Sequence, residues 1–372
     1  MNYHPEWYRI DNVGEVDSPA LVVYPERVKA NIAAAVNMVE AVAQLRPHIK
    51  TCKSPDAVGL MIAAGITKFK CASIAESEML GRCGAPDVLL AYQPIGPKVR
   101  RFVSVITQFP GTRYSCLVDN REAAERMAEV FALAGLVVPV FIDLNLGMDR
   151  TGIRAGTAAV ALYASCNGMP GITAVGLHGY DGHIRDKDFA ARKKACDESF
   201  GRVVDLQQQI TAAGFPSPLL IMGGSPTFSI HCRRKGIECS PGTFVYWDKG
   251  YGDLCPEQPF QPAALVLTRV ISQPSIDRVC TDMGHKSIAA ENEITRRAYF
   301  LNAPGLQLVS QSEEHGIAGG PPGDLPGSGD ILYVLPFHIC PTVALYEEAI
   351  AIVDGKVSGS WRNLARDRKI TI

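Results

Sequence analysis

Hydrophobic and polar positions fall into two regimes along the chain. In the first, short apolar runs alternate with stretches of helical period. Ser18-Pro19-Ala20-Leu21-Val22-Val23-Tyr24 reads as a short strand, and Pro25 opens a helix whose apolar positions Val28, Ile32, Val36 and Val39 recur at helical spacing. Further strands are predicted at 45–50, 68–72, 88–91, 114–118, 137–143, 172–177, 219–222 and 236–245, with helices at 56–64, 75–82, 121–134 and 189–213 between them. Such alternation builds parallel βα units, and the number of strands fits an α/β fold of the (β/α)8 TIM-type barrel better than an open sheet.

From about Gln261 the pattern changes. Strand runs at 263–272, 278–281, 297–301, 306–310, 331–335 and 349–353 follow one another with little helix between, and Asp354-Gly355 is a hairpin turn signal. The glycine- and proline-rich stretch 319–329 fits neither helix nor central strand and is a loop. A second, all-β domain therefore follows the barrel.

Composition narrows the class. A chain of 372 residues is long enough for two domains with full cores. A net charge of −1, without a long basic or acidic run, draws it neither to nucleic acid nor to an anionic membrane. Met1 to Gly14 lacks the positive n-region and apolar h-region of a signal peptide, and no apolar run nears the length of a membrane span, so a cytoplasmic protein is expected. The 11 cysteines are odd in number and include no Cys-x-x-Cys pair, which argues against a disulfide framework and against zinc-finger spacing.

Candidate chemistry sits at the predicted strand ends, where a barrel puts its active site. Arg46-Pro47-His48-Ile49-Lys50-Thr51-Cys52-Lys53 closes the first barrel strand with two lysines and a histidine. A lysine held there among apolar neighbours can be desolvated and have its pKa lowered, the condition for Schiff-base chemistry with a carbonyl, and Lys50 is the candidate nucleophile. Read locally, both lysines also fit ordinary surface charges. Arg150 follows a later strand and could set a fixed positive charge against a ligand or form a surface ion pair. His178, Tyr180, Asp181 and His183 crowd acid and base groups onto one glycine-punctuated loop.

Gly223-Gly224-Ser225-Pro226-Thr227 and Ser240-Pro241-Gly242-Thr243 close the last two barrel strands. Their glycines let backbone N–H groups approach an anion and their hydroxyls add donors, a phosphate cradle where barrels often hold one, although each is also common turn chemistry. In His338-Ile339-Cys340-Pro341-Thr342, residues i and i+2 on a strand share a face, so His338 and Cys340 can chelate one cation, with Zn²⁺ favoured. Two protein ligands leave open positions for water or substrate. Alone, the pair also fits a core cysteine beside a satisfied histidine.

Together, Arg-Pro-His-x-Lys-Thr-x-Lys, the late His-x-Cys-Pro-Thr, the two glycine turns and the barrel-then-β order resemble the metal-activated D-threonine aldolase and D-serine dehydratase family. These are pyridoxal-phosphate enzymes of the alanine-racemase-like fold type, and the resemblance covers nearly the whole chain. It implies a cofactor-binding barrel over 25–256 and a β domain made of 1–24 plus 257–372. It also implies Lys50 as the lysine that forms the internal aldimine with pyridoxal 5'-phosphate, with Arg150 and Tyr180 facing the cofactor. Gly224, Ser225, Gly242 and Thr243 would lie at its phosphate, Tyr251 would be a further active-site aromatic, and His338 with Cys340 would hold a divalent metal, zinc or manganese, with magnesium as a further option.

Three departures stand out. Cys52 replaces a histidine usual in the family. His183 is offset from the place of the family's catalytic histidine. The His-x-Cys pair looks like the dehydratases, whereas aldolases of the family often carry His-x-Asp. The reading is a lyase acting on β-hydroxy D-amino acids, D-threonine aldolase-like, giving glycine and an aldehyde. The alternative is a D-serine or D-3-hydroxyaspartate dehydratase, giving a keto acid and ammonia. A racemase would need two bases and no metal, and a non-catalytic pyridoxal-phosphate carrier would lack the β domain. A small D-amino acid is the expected partner, and a homodimer the expected assembly.

Overall fold

The computed structural model describes residues 6–372, and residues 1–5 of the initial segment assigned to the β domain lie outside the described residues. The chain divides into two compact units. One comprises Ala34–Lys50, Val58–Gly242 and Asp367–Ile372, the other Met1–Ala33, Thr51–Ala57 and Thr243–Arg366. Among the described residues no helix is long and apolar enough to cross a membrane.

In chain order, β1 (Ala20–Val23), α1 (Pro25–Met38) and α2 (Pro55–Ala63) precede a regular alternation. It runs β2 (Lys68–Cys71), α3 (Ile74–Arg82), β3 (Asp87–Leu90), α4 (Pro97–Gln108), β4 (Arg113–Val118), α5 (Arg121–Leu133), β5 (Val138–Leu144), α6 (Thr157–Asn167), β6 (Ile172–Gly179), α7 (Phe189–Ala212), β7 (Leu219–Met222), α8 (Phe228–His231) and β8 (Ile237–Cys239). Side chains before three of the helices satisfy first-turn N–H groups: Ser73 accepts from Glu76, Asn120 from Ala123 and Asp188 from Ala191.

Strands β2 to β8 pair in parallel in sequence order. The segment 45–50, expected as a strand, forms only isolated bridges, because Pro47 has no N–H to give to a ladder. It still closes the ring. Arg46 N donates to Cys239 O at 2.8 Å and His48 N to Pro241 O at 2.9 Å on one side; Ile49 N donates to Lys70 O at 2.9 Å and Lys70 N to Pro47 O at 2.8 Å on the other. Strand β8 is shorter than the expected 236–245: Pro241 and Gly242 interrupt it, and Thr243–Val245 is a 3-10 turn.

Barrel strands alternate between an interior face and a face turned to the helices. Leu89, Leu117, Phe141 and Ile221 form a buried apolar cluster. Register carries Lys70, paired with Leu89, and His178, paired with Asp143 and Ile221, onto that same face.

The other unit is built on one sheet. Its elements are α9 (Lys249–Leu254), β9 (Ala264–Ser275), β10 (Arg278–Thr281), β11 (Ala298–Phe300), β12 (Gln307–Gln311), β13 (Gly316–Gly319), β14 (Ile331–Pro336), α10 (Ile339–Leu345), β15 (Glu348–Val353) and β16 (Lys356–Arg362). The order is β12-β13-β10-β9-β1-β15-β16, with β14 pairing β9 and β11. β1 runs antiparallel to β9 and parallel to β15, so the N-terminal strand is internal to this sheet. Val22, Leu265, Leu267, Tyr333 and Ile352 bury one face, and Val266, Phe300, Leu308 and Val334 the other.

His338 and Cys340 do not share a strand face as expected. His338 is the N-cap of α10 and Cys340 lies in its first turn. The chain turns helical here because Pro341 falls in that first turn, where a missing N–H costs nothing, and Thr342 Oγ1 donates back to His338 O at 2.9 Å.

Candidate active site

In the barrel unit, Arg46 anchors the segment that carries Lys50. Its side chain is 3% exposed, with NH1 2.6 Å from Asp87 Oδ1 and Nε 2.6 Å from Glu238 Oε2. NH1 also donates to Phe69 O at 3.3 Å. One planar fork therefore binds the segment to β2, β3 and β8 together. Four residues on, Lys50 N donates to His48 Nδ1 at 3.3 Å, and Lys50 Nζ lies 5.9 Å from the centroid of the Tyr180 ring.

Tyr180 is the centre of this end of the barrel. Arg150 Cζ is 5.1 Å from the ring centroid, carried by a loop that Asn145 folds by accepting from Gly147 N at 3.0 Å and Asp149 N at 3.2 Å. The ring is wedged between glycines: a Cβ at Gly182 would come within 2.1 Å of its oxygen, and one at Gly224 within 2.8 Å of its edge. Gly224 lies in the turn after β7, where Gly223 has φ +80°. Ser225 Oγ accepts from Gly242 N at 3.4 Å, which joins the two glycine turns.

Behind them is a buried network. Asp181 Oδ1 accepts from Thr227 Oγ1 at 2.7 Å, and its Oδ2 is 2.8 Å from His231 Nε2. His231 Nδ1 is 2.7 Å from Arg234 NH1, and Cys196 Sγ is 3.3 Å from Nε2. Burial opposes ionisation of Asp181, but the bonds from His231 and Thr227 hold its pKa below the ordinary value. Asp181, Cys196 and His231 form a group of metal-ligand type. Their hydrogen bonds also close without a cation: guanidinium can only donate, so Nδ1 accepts and Nε2 carries the proton given to Asp181.

The residue that sequence reasoning did not single out is Lys70. Only 2% exposed, it places Nζ 3.4 Å from His178 Nε2, while His178 Nδ1 is 2.7 Å from Asp143 Oδ1. An ionised Asp143 accepts, so Nδ1 bears the proton and Nε2 faces the lysine with its lone pair. Burial and then Lys70 lower the pKa of His178, and the histidine's hydrogen bond keeps Asp143 low against its own burial. Burial, followed by the neighbouring Lys50, pulls Lys70 down to about 7. Lys70 Nζ is also 5.9 Å from the Tyr180 centroid. The signal in the sequence was a lysine between Phe69 and Cys71 in a strand whose alternate face is barrel interior.

The β unit holds the second set. His338 Nδ1 is bonded to Glu291 Oε1, and Cys340 Sγ is 3.1 Å from Thr51 Oγ1 and 3.6 Å from Thr243 Oγ1. Burial works against a charged His338, yet Cys340, Asp248 and Glu291 bring its pKa up to about 9. Asp248 fixes the frame: its Oδ1 caps α9 through Tyr251 N at 2.8 Å, and its Oδ2 accepts from Ile339 N at 3.1 Å. Tyr251 stacks on Trp247 with centroids 5.6 Å apart. Glu291, absent from the sequence reading, supplies a carboxylate behind the histidine. Cys52 is fully buried.

Within the barrel unit the structure thus brings Lys50, Arg150, Tyr180, Gly224, Ser225 and Gly242 to one end, and within the β unit it joins His338, Cys340 and Thr243. His183 is exposed, and its Nε2 would lie 3.0 Å from a Cβ at Gly147, on the loop that carries Arg150.

Known proteins match this architecture. The family model described as "Alanine racemase, N-terminal domain" matches residues 23–249, and that described as "Putative serine dehydratase domain" matches residues 263–352. The chain is 26% identical over 365 residues to a D-threonine aldolase of Arthrobacter sp, covering 96% of this chain and 94% of that one. It is 25% identical over 379 residues to a D-threo-3-hydroxyaspartate dehydratase of Delftia sp. (strain HT23), covering 95% and 99%. Among solved structures, the D-threonine aldolase from Filomicrobium marinum superposes with a TM-score of 0.87 at 24% identity, covering 96% of each chain. With the first of these models spanning more than half of its length, and the second matching most of the β unit's strands, this chain belongs to the alanine racemase N-terminal-domain family.

Proposed function

We propose that this protein is a pyridoxal-phosphate- and divalent-metal-dependent lyase that cleaves β-hydroxy D-amino acids into glycine and an aldehyde. The observation that carries the reading is the convergence of Lys50 and Arg150 on Tyr180 beside the Gly224 turn. The relatives named D-threonine aldolase and 3-hydroxy-D-aspartate aldolase set the reaction class.

The barrel residues fit the cofactor. A primary amine stands at the end of a barrel strand, and a turn in which any Cβ at residue 224 would strike Tyr180 keeps backbone open beside Ser225 and Gly242. Pyridoxal phosphate, when bound, supplies the electron sink that no side chain offers. Lys50 would hold it, Ser225 with the glycine turns, and Thr243 as the matching family position, would take its phosphate, and Arg150 and Tyr180 would orient its ring. Arg46 keeps Lys50 in place through the fork described above.

The β-unit residues fit a cation. Glu291 on Nδ1 holds the ring of His338 in place, and a cation would take the position of the other nitrogen's proton, the carboxylate-histidine-metal arrangement. Cys340 adds a sulfur donor that favours zinc, and manganese would rely on the histidine and on oxygen ligands from substrate or water. Such a cation lowers the pKa of a bound hydroxyl.

The His-Cys pair favours a second reading, dehydration to a keto acid and ammonia, as the Delftia relative's name describes for that protein. One experiment separates them. Protein reconstituted with pyridoxal phosphate and Mn²⁺ or Zn²⁺ is incubated with D- and L-isomers of threonine, serine and 3-hydroxyaspartate, and glycine, aldehyde, keto acid and ammonia are assayed together. Glycine and aldehyde from D-isomers alone are expected. Keto acid and ammonia instead would replace the aldolase reading with the dehydratase, and comparable turnover of L-isomers would remove both. Borohydride should fix the cofactor to the Lys50 peptide.

A further inference from the structure

We propose that Lys70 is a cofactor-contacting residue, the group that meets the phenolic oxygen of pyridoxal phosphate carried on Lys50. The inference rests on the functional reading above and extends it to a residue outside the motif that suggested it.

Lys70 is short of acceptors. An ammonium offers three N–H donors, and in a buried place each needs an acceptor. Among the described residues Lys70 has one hydrogen-bonding neighbour, His178 Nε2 at 3.4 Å, and no ion pair with a carboxylate. The charged and titratable groups around it are Lys50, Asp143, Asp181 and Arg46, with His178 in contact. With a protonated Lys70 the set holds three cations against two carboxylates, neither of them paired with Nζ, so it is short of one negative charge. A buried lysine in that position invites an electron-rich oxygen from a ligand.

Lys50 names the oxygen. Lys50 and Lys70 lie at the same distance, 5.9 Å, from the centroid of the Tyr180 ring. In pyridoxal phosphate the phenolic oxygen is ortho to the aldehyde carbon that a lysine carries, so it is the cofactor oxygen tied most closely to Lys50 Nζ. Its phosphate belongs at the glycine turns and its ring nitrogen lies across the ring.

The proton inventory is consistent. Burial and then the neighbouring Lys50 lower the pKa of Lys70 to about 7, so near physiological pH its amine form is available to take a proton. When the phenol enters, its O–H bond breaks, the electron pair stays on oxygen, and the proton makes the third N–H bond of an ammonium. His178 Nε2 already accepts from Nζ, and Asp143 holds the histidine in the tautomer that can do so. Lys70 would thus keep the cofactor in its phenolate form.

The test compares wild type with Lys70→Met and Lys70→Arg, each stripped of cofactor and titrated with pyridoxal phosphate. A lost charge-assisted hydrogen bond predicts roughly ten- to hundredfold weaker binding for Lys70→Met, with Lys70→Arg closer to wild type. The visible spectrum of the loaded Lys70→Met protein should move toward the neutral phenol, and the pH at which the chromophore loses its proton should rise. Wild-type affinity together with an unchanged spectral titration in Lys70→Met would overturn the proposal, as would borohydride fixing the cofactor to Lys70. Because the variant could unfold, NMR of wild-type protein carrying 13C-labelled lysine gives an independent readout: the Lys70 Cε signal should titrate at higher pH with the cofactor bound than without it, and an unchanged titration would overturn the contact. A wild-type protein that takes up no pyridoxal phosphate would remove the functional reading and this inference together, whereas uptake with an indifferent Lys70 removes only the latter.

Discussion

Replacing Arg46 with alanine should destabilise the barrel and loosen the segment that carries Lys50. The guanidinium is almost wholly buried, with two carboxylates at 2.6 Å and a carbonyl at 3.3 Å. Removing one partner of a buried ion pair typically costs about 3–5 kcal/mol, because the other charge stays desolvated. Two features moderate that figure. Lys68 Nζ remains 2.5 Å from Glu238, and Asp87, 20% exposed, can turn to water. A cost of about 3 kcal/mol follows, near the lower end of that range, which in a unit of this size lowers Tm by roughly 6–12 °C. Calorimetry of the cofactor-free protein would measure it, following the transition assigned to the barrel by a Lys70- or Tyr180-proximal label. Arg46→Lys should recover only part of the loss, since an ammonium cannot bridge both carboxylates in one plane. The triple variant Arg46→Met, Asp87→Asn, Glu238→Gln separates charge from packing: it should melt above Arg46→Ala if stranded charge is the cost. An Arg46→Ala protein melting within about 2 °C of wild type, under roughly 1 kcal/mol, would refute the reasoning.

Two further outcomes are expected. Glu291→Gln should weaken metal binding by about ten- to hundredfold through His338, and Cys340→Ser should cost more affinity for Zn²⁺ than for Mn²⁺; calorimetric titration of the metal-free protein checks both, and equal affinities across the set would count against the assigned ligands. Lys70 contributes stability that rises with pH from about 7 to the ordinary lysine value of 10.5, because it releases its proton at the lower pH when folded and at the higher when unfolded. His338, brought up to about 9, contributes with the opposite sign between its ordinary value of 6.5 and 9, so the Lys70 share is read as the difference between wild type and Lys70→Met. Lys70→Met should make the slope in chemical-denaturation curves less positive, and an unchanged slope would contradict the burial of Lys70.

The parts of the fold that were legible in the sequence are those where local pattern and final environment agree. Helices such as α5 and α7 show their period and their capping Asn120 and Asp188, and β10 was read at its observed bounds. Strand β13 was not: Gly316-Ile317-Ala318-Gly319 is too short and glycine-rich to signal a strand, and it exists because β10 and β12 supply partners on both sides. The His338 pair was read on the wrong element, since the helix of α10 is only 7 residues long and its apolar run matches a strand equally well. The two side chains nevertheless lie within reach of each other, because the N-cap and the first turn of a helix bring side chains two apart together.

Lys70 illustrates why the rest stayed hidden. A charged residue in a four-residue strand reads as solvent-facing when the strand is taken alone, and Lys68, two positions earlier on the same face at the start of the strand, does keep 28% of its side chain exposed while it pairs with Glu238. Only ring closure changes the meaning of the alternation. Once the segment 45–50 bridges β8 to β2, the face bearing Lys70 has nowhere to go but the interior, beside His178 and Asp143. Closure is itself carried by Arg46 and by backbone bonds across Pro47, so the motif that places Lys50 also determines the environment of Lys70. The two lysines are therefore coupled through the backbone of one strand pair, Ile49 N to Lys70 O and Lys70 N to Pro47 O. A change that opens that pair must disturb both amines at once, which is the physical reason to expect that cofactor uptake and the titration of Lys70 will move together across the Arg46 variants.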